Sequence, residues 1–281
     1  MAVFRDHPSP LAAFLLRLEH APETLQEEII ACLKPHITDD RLRKMEQVLS
    51  QRTQALTLLI ENVYQPQNAS AVLRTAEALG LQSVYIVEKD HRYEVSPQVV
   101  MGADKWLDLH YASSEATCGG NNTLAHYALL RRRGYRIAAT CWTEDAVPIQ
   151  ELDLSTPIAL AFGTELTGLS REAIEAADVR TYIPMYGFTQ SFNISVAAAL
   201  CMHYLRPAMA ERHPELIPLQ PQVYRRILVQ WMAASLRLGE DLLKPYFQHP
   251  DLPPIPDWFA MKPSPASGQE YGQRPTIPSA L

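Results

Sequence analysis

Three loops in this sequence collect small polar and charged residues of the kinds that bind polar ligands and hold protons. The most informative one contains Ser191, Asn193 and Ser195, where a strand-like run breaks into a polar loop and a small-residue helix follows at once. All three residue types are good helix N-caps, and one cap would suffice. Since the amide N–H groups at a helix N-terminus suit an anionic or polar ligand, this crowding favours a binding loop. Redundant capping of an ordinary loop is the alternative on this segment alone.

A second loop, over residues 61–74, leads from an apolar strand into a helix. Pro66 stiffens the turn, and we expect the helix to begin at Asn68 or Ser70. Arg74 would then lie one turn into the helix, where its planar guanidinium can donate two hydrogen bonds to a phosphate. A surface arginine on an amphipathic helix is the alternative interpretation.

The third loop follows another buried strand, at the strand end where parallel α/β folds bind ligands. Gly163 and Gly168 allow a close approach of the backbone, and Glu165 lies between them. The sequence contains neither the dinucleotide-binding GxGxxG pattern nor a P-loop. These residue types therefore favour a ligand with positive or hydrogen-bond-donor character over a triphosphate. An ordinary solvent-facing acid remains the alternative for Glu165.

The elements around these loops alternate between strands and helices from Leu56 to Leu205. This rhythm predicts an α/β fold, with a mainly parallel sheet and helices on both faces. We divide the chain into a helical N-terminal extension (1–53), an α/β core (54–208), a helical C-terminal extension (209–247) and a proline-rich tail (248–281). Eight prolines in the last 34 residues predict an extended or disordered tail, with Trp258 and Phe259 as candidate anchors.

Composition excludes several classes of protein. A net charge of −6 over 281 residues argues against a nonspecific basic nucleic-acid binder but leaves room for a local basic face. The four cysteines are far apart and form no CxxC pair, so we expect no metal site and a reducing, cytoplasmic setting. No apolar run reaches the ~18 residues needed to cross a bilayer, and the N-terminus lacks a signal-peptide pattern, so we expect no membrane association.

Taken together, the three loops resemble the signature motifs of the SpoU/TrmH-type RNA 2′-O-ribose methyltransferases of the SPOUT superfamily. The matching segments read NASAVLRTAEALG (68–80), FGTELTGLS (162–170) and IPMYGFTQSFNISVA (183–197), in the family's order and spacing. The resemblance covers about residues 38–210 and is closest to the tRNA guanosine-2′-O-methyltransferase branch, which acts on the D-loop. One departure is Gln67, where that branch commonly has a histidine. This difference affects what the resemblance implies about the phosphate contacts near Asn68 and about which RNA is the substrate.

The resemblance implies that S-adenosylmethionine binds in a deep trefoil knot and that the protein is a homodimer with its active site at the interface. The implied cofactor-binding residues are Thr140, Gly163, Ile183 and Phe192. The residues implied in catalysis and site architecture are Asn68, Arg74, Glu165, Ser191 and Asn193. A helix predicted over Asp39–Ser50, just before the first core strand, is basic in this family. The candidate RNA contacts on or after it are Arg41, Arg43, Lys44 and Arg52. A solvated amphipathic helix is the alternative.

The family mechanism makes Arg74 the general base, although an arginine normally stays protonated, with a pKa above ~12. We therefore expect Arg74 to hold the phosphate and stabilise charge, while phosphate or water accepts the proton. The alternative activities are methylation of ribosomal RNA or of a tRNA anticodon ribose. A catalytically idle RNA-binding protein is a further alternative, and the missing glycine fingerprint argues against a Rossmann oxidoreductase.

Overall fold

The computed structural model of the chain describes residues 2–4 (backbone only), 8–90, 93–112 and 121–255. Within them, eight parallel strands form one sheet in the order β1-β4-β3-β2-β7-β5-β8-β6. The strands are β1 (Ala2–Phe4), β2 (Leu56–Glu61), β3 (Ser83–Val87), β4 (Asp108–Ala112), β5 (Arg136–Thr140), β6 (Val147–Pro148), β7 (Ile158–Phe162) and β8 (Val179–Tyr182). The predicted parallel α/β sheet is confirmed.

Helices cover both faces of this sheet, as predicted. They are α1 (Pro10–Leu18), α2 (Glu23–Leu33), α3 (Asp39–Leu49), α4 (Pro66–Ala78), α5 (Pro97–Val100), α6 (Asn122–Arg132), α7 (Arg171–Ala176), α8 (Ile194–Arg212), α9 (Pro221–Ser235) and α10 (Gly239–Leu243). In β2, Leu58 and Ile60 pack on the side of α4 and α8, while Leu59 packs on the side of α6 and α7. This alternation follows from the two-residue period of a strand, and it buries β2 completely.

The terminal helices pack together rather than forming two separate extensions. Phe14, Ile29 and Leu49 from the N-terminal helices share one apolar cluster with Trp231 and other residues of α9 and α10. The buried Arg226 of α9 joins this helical layer to the sheet. Its guanidinium donates two hydrogen bonds to Asp108 at the start of β4, at 2.9 and 2.7 Å, and also contacts Glu19.

Two element boundaries differ from the expectations. Helix α4 begins at Pro66 with Gln65 at the N-cap, so the expectation of a start at Asn68 or Ser70 is wrong. Proline suits the first helical position because its missing N–H would have no partner there. Arg74 consequently lies two turns into α4, not one. Helix α8 has Asn193 as its N-cap and continues to Arg212, beyond the expected Leu205.

None of the helices in the described ranges is long and apolar enough to cross a membrane. The proline-rich tail lies outside those ranges from residue 256 onward, and this includes its candidate anchors Trp258 and Phe259.

Candidate active site

Side chains from all three polar loops meet at the carboxyl edge of the sheet. The Asn68 amide nitrogen donates a hydrogen bond to Glu165, which lies 97 residues away in the sequence. The Asn193 amide donates to the Asn68 carbonyl oxygen at 3.2 Å, across 125 residues. Asn68 therefore bridges the other two loops, and the convergence expected from parallel topology is present.

The orientation of Asn193 is fixed by its role as an N-cap. Its Oδ1 accepts hydrogen bonds from the backbone N–H of Ser195 at 2.9 Å and from the Ser195 hydroxyl at 2.6 Å. Its amide nitrogen is then directed toward Asn68. Capping and site architecture are thus two functions of the same side chain, whereas Ser191 is exposed in the preceding loop. Of the three candidate caps, Asn193 is the one that caps α8.

The loop that carries Glu165 is a tight hairpin over residues 163–170. Thr164 and Gly168 exchange two backbone hydrogen bonds of 3.0 Å, and Gly168 has a φ of +69°, which favours glycine. At Gly163, an added Cβ would lie 2.0 Å from the carbonyl carbon of Gly168. The two backbones therefore pack against each other, and only glycine fits at position 163. The closely approaching backbone expected from sequence is present.

The residues expected to bind the cofactor lie at three neighbouring strand ends. Thr140 ends β5, Gly163 follows β7 and Ile183 follows β8, and β5 lies between the other two strands. The Thr140 hydroxyl donates to the carbonyl of Ala161 at 2.7 Å, which ties the ends of β5 and β7 together. Phe192 is 41% exposed, so its ring offers an apolar wall before α8. Thr140, Gly163 and Ile183 therefore lie along one edge of the sheet.

Arg74 lies on the same helix as Asn68 and is exposed. Within the described residues it has no hydrogen bond and no ion pair. A guanidinium that is not paired with a carboxylate is available for a phosphate. The position and exposure of Arg74 are therefore compatible with substrate binding.

One of the four candidate RNA contacts is wrong. The side chain of Arg52 is 1% exposed, and its guanidinium pairs with Glu77 at 2.5 Å and donates to the Leu81 carbonyl at 2.7 Å. The guanidinium also lies over the ring of Trp231, 5.1 Å from its centroid. Burial lowers the pKa of Arg52 from its ordinary value, while the charge of Glu77 opposes this change. Arg52 holds the core and the terminal helices together, and its buried guanidinium is already engaged by Glu77 and Leu81.

The other three cations of this group are exposed on α3. The guanidinium of Arg41 lies over Trp106, 5.4 Å from the ring centroid, and Arg43 pairs with Asp40. Lys44 lines a cavity of about 740 Å³ whose wall also contains His203 and Arg206 of α8. Sequence reasoning missed these last two residues because they lie about 160 positions from Lys44 in the chain.

Sequence reasoning also missed Glu61, which ends β2 and hydrogen-bonds to Thr123 and Ser170. An acid at the end of an otherwise apolar strand was the available signal.

The described segments hold no group of three or more His, Cys, Asp or Glu residues arranged to bind a metal.

Comparison with known proteins identifies the family. A model of the SpoU rRNA Methylase family matches residues 55–203, more than half of the chain. A tRNA (guanosine(18)-2'-O)-methyltransferase of Borreliella burgdorferi is 41% identical over 178 residues, which are 63% of this chain and 77% of the relative. The enzyme of the same name from Thermus thermophilus is 34% identical over 206 residues, 69% of this chain and 97% of the relative.

A solved structure agrees with these relatives. The crystal structure of the Aquifex aeolicus TrmH/SpoU tRNA modifying enzyme superposes with a TM-score of 0.62 at 28% identity, and the match covers 70% of this chain and 98% of that one. This chain belongs to the SpoU rRNA Methylase family.

Proposed function

We propose that the chain transfers the methyl group of S-adenosylmethionine to a ribose 2′-oxygen of RNA, and that its substrate is a guanosine in the D-loop of tRNA. The observation that carries this proposal is the contact of Asn68 with both Glu165 and Asn193, which assembles the three family motifs into one site. The relatives at 41% and 34% identity over 63% and 69% of this chain are named for guanosine 18 of tRNA, which favours tRNA over ribosomal RNA.

The cofactor is proposed to lie along the strand ends at Thr140, Gly163 and Ile183, with Phe192 as an apolar wall. Bound there, S-adenosylmethionine supplies an electrophilic methyl group. Residues 183–193 are proposed to thread through the preceding loops as a trefoil knot. Gly163 supports the placement of the cofactor, because its missing side chain lets the backbone of the 163–170 hairpin fold back on itself beside the end of β7.

The protein then has two tasks. It must align the ribose, and it must allow the proton of the 2′-hydroxyl to leave. Arg74 is proposed to hold a phosphate next to the target ribose, since it is exposed and unpaired within the described residues. With the ribose held in this way, its 2′-oxygen could attack the methyl carbon in line while the bond from that carbon to sulfur breaks and S-adenosylhomocysteine leaves. The 2′-hydroxyl proton would pass to the phosphate or to water, because an arginine remains charged. Glu165 and Asn193, each hydrogen-bonded to Asn68, hold the two loops together. Ser191, which is exposed in the last loop, is proposed to face the substrate.

Binding of tRNA is proposed to use the basic face of α3 together with the neighbouring cavity. Lys44, His203 and Arg206 line that cavity, and Arg41 and Arg43 lie on the same helix as Lys44. Reversing the charges of Arg41, Arg43 and Lys44 should weaken tRNA binding and flatten its salt dependence. Arg171→Glu is a matched control, because Arg171 is equally exposed but lies on α7. Unchanged binding in the triple variant would discard this surface.

A homodimer is part of the proposal. Val196 and Leu200 are exposed one turn apart on α8, and Tyr186, Phe188 and Phe192 are exposed in the loop just before it. Such a group of apolar side chains is typical of a surface that is covered by a partner. A second copy would cover it and bring two sites together.

Free thiols at Cys32, Cys141 and Cys201 agree with a reducing, cytoplasmic setting.

The experiment that tests the proposal uses purified protein, S-adenosylmethionine labelled in its methyl group, and separate pools of tRNA and ribosomal RNA. We expect label in tRNA, at a ribose. Label in ribosomal RNA alone would support the rival substrate, and label in neither pool, with binding retained, would support an RNA-binding protein without activity.

A further inference from the structure

A buried carboxylate lies beside the site without a place in the proposed chemistry. Glu61 is the last residue of β2, the strand that pairs with both β3 and β7, and only 3% of it is exposed. Among the described residues it has no cationic partner. A buried charge without a partner is costly, so its hydrogen bonds must compensate for the lost water.

Three hydrogen bonds converge on this carboxylate. Its Oε1 accepts from the hydroxyl of Thr123 at 2.5 Å and from the hydroxyl of Ser170 at 2.7 Å. Its Oε2 accepts from the backbone N–H of Ser170 at 2.7 Å. Thr123 lies in the first turn of α6 and Ser170 is the N-cap of α7, so the charge also lies near the positive ends of two helices. These contacts give both carboxylate oxygens of Glu61 hydrogen-bond donors in the core.

The bonds to Ser170 fix one end of the hairpin over residues 163–170. Ser170 gives both its N–H and its hydroxyl to Glu61, and its oxygen also accepts from the Ala173 N–H at 3.3 Å. The other end of the hairpin continues directly from β7 at Gly163. With both ends held, Glu165 is directed toward Asn68.

We propose that Glu61 is a positioning residue for the cofactor, acting through Ser170 and the hairpin. This inference rests on the proposed function, in which the backbone of the hairpin contacts S-adenosylmethionine. Loss of the Glu61–Ser170 bonds releases one end of the hairpin and so weakens cofactor binding, without removing any group that touches the cofactor. The bond to Thr123 leads to α6, which is not part of the hairpin, so its loss has no such effect.

Three variants separate positioning from general stability. Glu61→Gln keeps the size of the side chain but loses its charge and one acceptor, and Ser170→Ala removes the hydroxyl bond. Thr123→Val has a similar volume and removes the remaining bond to Glu61, so it is the matched control. Titration calorimetry with S-adenosylmethionine alone gives Kd, and thermal unfolding gives Tm for the same samples.

We expect the Kd for S-adenosylmethionine to rise about tenfold in Glu61→Gln and in Ser170→Ala, the effect of one hydrogen bond to a charged group. Thr123→Val should keep the wild-type Kd although its Tm also falls. Hydrogen exchange of the amides in 163–170 should accelerate in the first two variants only.

The outcomes are distinguishable from failure of the proposed function. If the wild-type protein does not bind S-adenosylmethionine, the proposed function is wrong. If the wild type binds and Ser170→Ala binds equally well, the positioning role is wrong. A rise in Kd for Thr123→Val as large as for the other two variants would also overturn it, since the effect would then be a general loss of stability. Ser170→Ala removes the hydroxyl bond and leaves the carboxylate of Glu61 in place, so it tests the link between Glu61 and the hairpin even if Glu61→Gln fails to fold.

Discussion

Replacement of Gly163 by alanine tests how strongly activity depends on the packing of the 163–170 hairpin. The added Cβ would lie 2.0 Å from the carbonyl carbon of Gly168 and 2.1 Å from the nitrogen of Leu169. Ordinary contact begins at 3.4 Å, so the two backbones must separate by about 1.4 Å, the difference between those distances. A displacement of about 1 Å near the reacting groups can lower a rate by ~10²-fold. We expect a loss of about that size in methyl transfer and a weaker affinity for S-adenosylmethionine.

The control variants are two other glycines of the same region. An alanine at Gly187 would meet nothing within 4 Å, and the residue does not have a positive φ, so Gly187→Ala should behave as wild type. Gly168→Ala also meets no atom, but its φ of +69° makes alanine cost about 1–2 kcal/mol, so its effect should be intermediate. The assay is initial-rate methyl transfer with labelled cofactor, with calorimetry for Kd. A Gly163→Ala enzyme within twofold of wild type in both would refute the packing argument.

Three further predictions concern the phosphate contact of Arg74, the buried ion pair of Arg226 with Asp108, and stability in acid. Arg74→Lys should lower kcat/KM for tRNA at least tenfold with an unchanged Kd for S-adenosylmethionine, because lysine cannot donate two parallel hydrogen bonds to a phosphate. Nearly full activity would contradict the bidentate role of Arg74. Arg226→Met leaves the charge of Asp108 buried and unpaired, so the free energy of unfolding in urea should fall by about 3–5 kcal/mol, and adding Asp108→Leu should restore part of it. Burial lowers the pKa of His126 to about 4, and it lowers the pKa of His110 as well. Since the unfolded histidine binds its proton near pH 6.5, stability should fall as pH drops from about 6.5 to 4, by an amount on the order of 3 kcal/mol for His126. His126→Gln should reduce this slope in urea titrations at pH 7 and pH 5, and an unchanged slope would contradict the assignment.

Much of the fold was predictable because its signals are local. The apolar run at Leu56–Glu61 is a strand buried on both faces, and such runs occur where helices cover a parallel sheet. The convergence of the three loops follows from the same topology, since the carboxyl ends of parallel strands share one edge. Asn193 was predictable as a cap from its residue type and place.

Other features depend on contacts that no local pattern reveals. Asn68 has the residue type of an N-cap, yet Pro66 begins α4 earlier and leaves the Asn68 side chain free to join Glu165 and Asn193. Arg52 follows a basic helix and looks like part of its charged surface. Its burial comes from Glu77, 25 residues away, and from Trp231 in the terminal helix α9. Long-range partners of this kind decide whether a charge is structural or available.

The joint packing of the terminal helices has the same origin. Each terminal segment shows an apolar stripe, but the sequence does not indicate that the two stripes cover each other. The pairing of Arg226 with Asp108 spans 118 residues and is equally invisible in the local pattern.

The central claim is that one site, assembled around Asn68, methylates the 2′-oxygen of a tRNA guanosine. The most direct measurement compares two tRNA transcripts that differ only at guanosine 18, the position in the names of the relatives, where one carries the ribose and the other the 2′-deoxyribose. We predict that the ribose transcript accepts one labelled methyl group and that the deoxy transcript accepts none, while both bind the protein equally. Equal labelling of both transcripts would contradict the account.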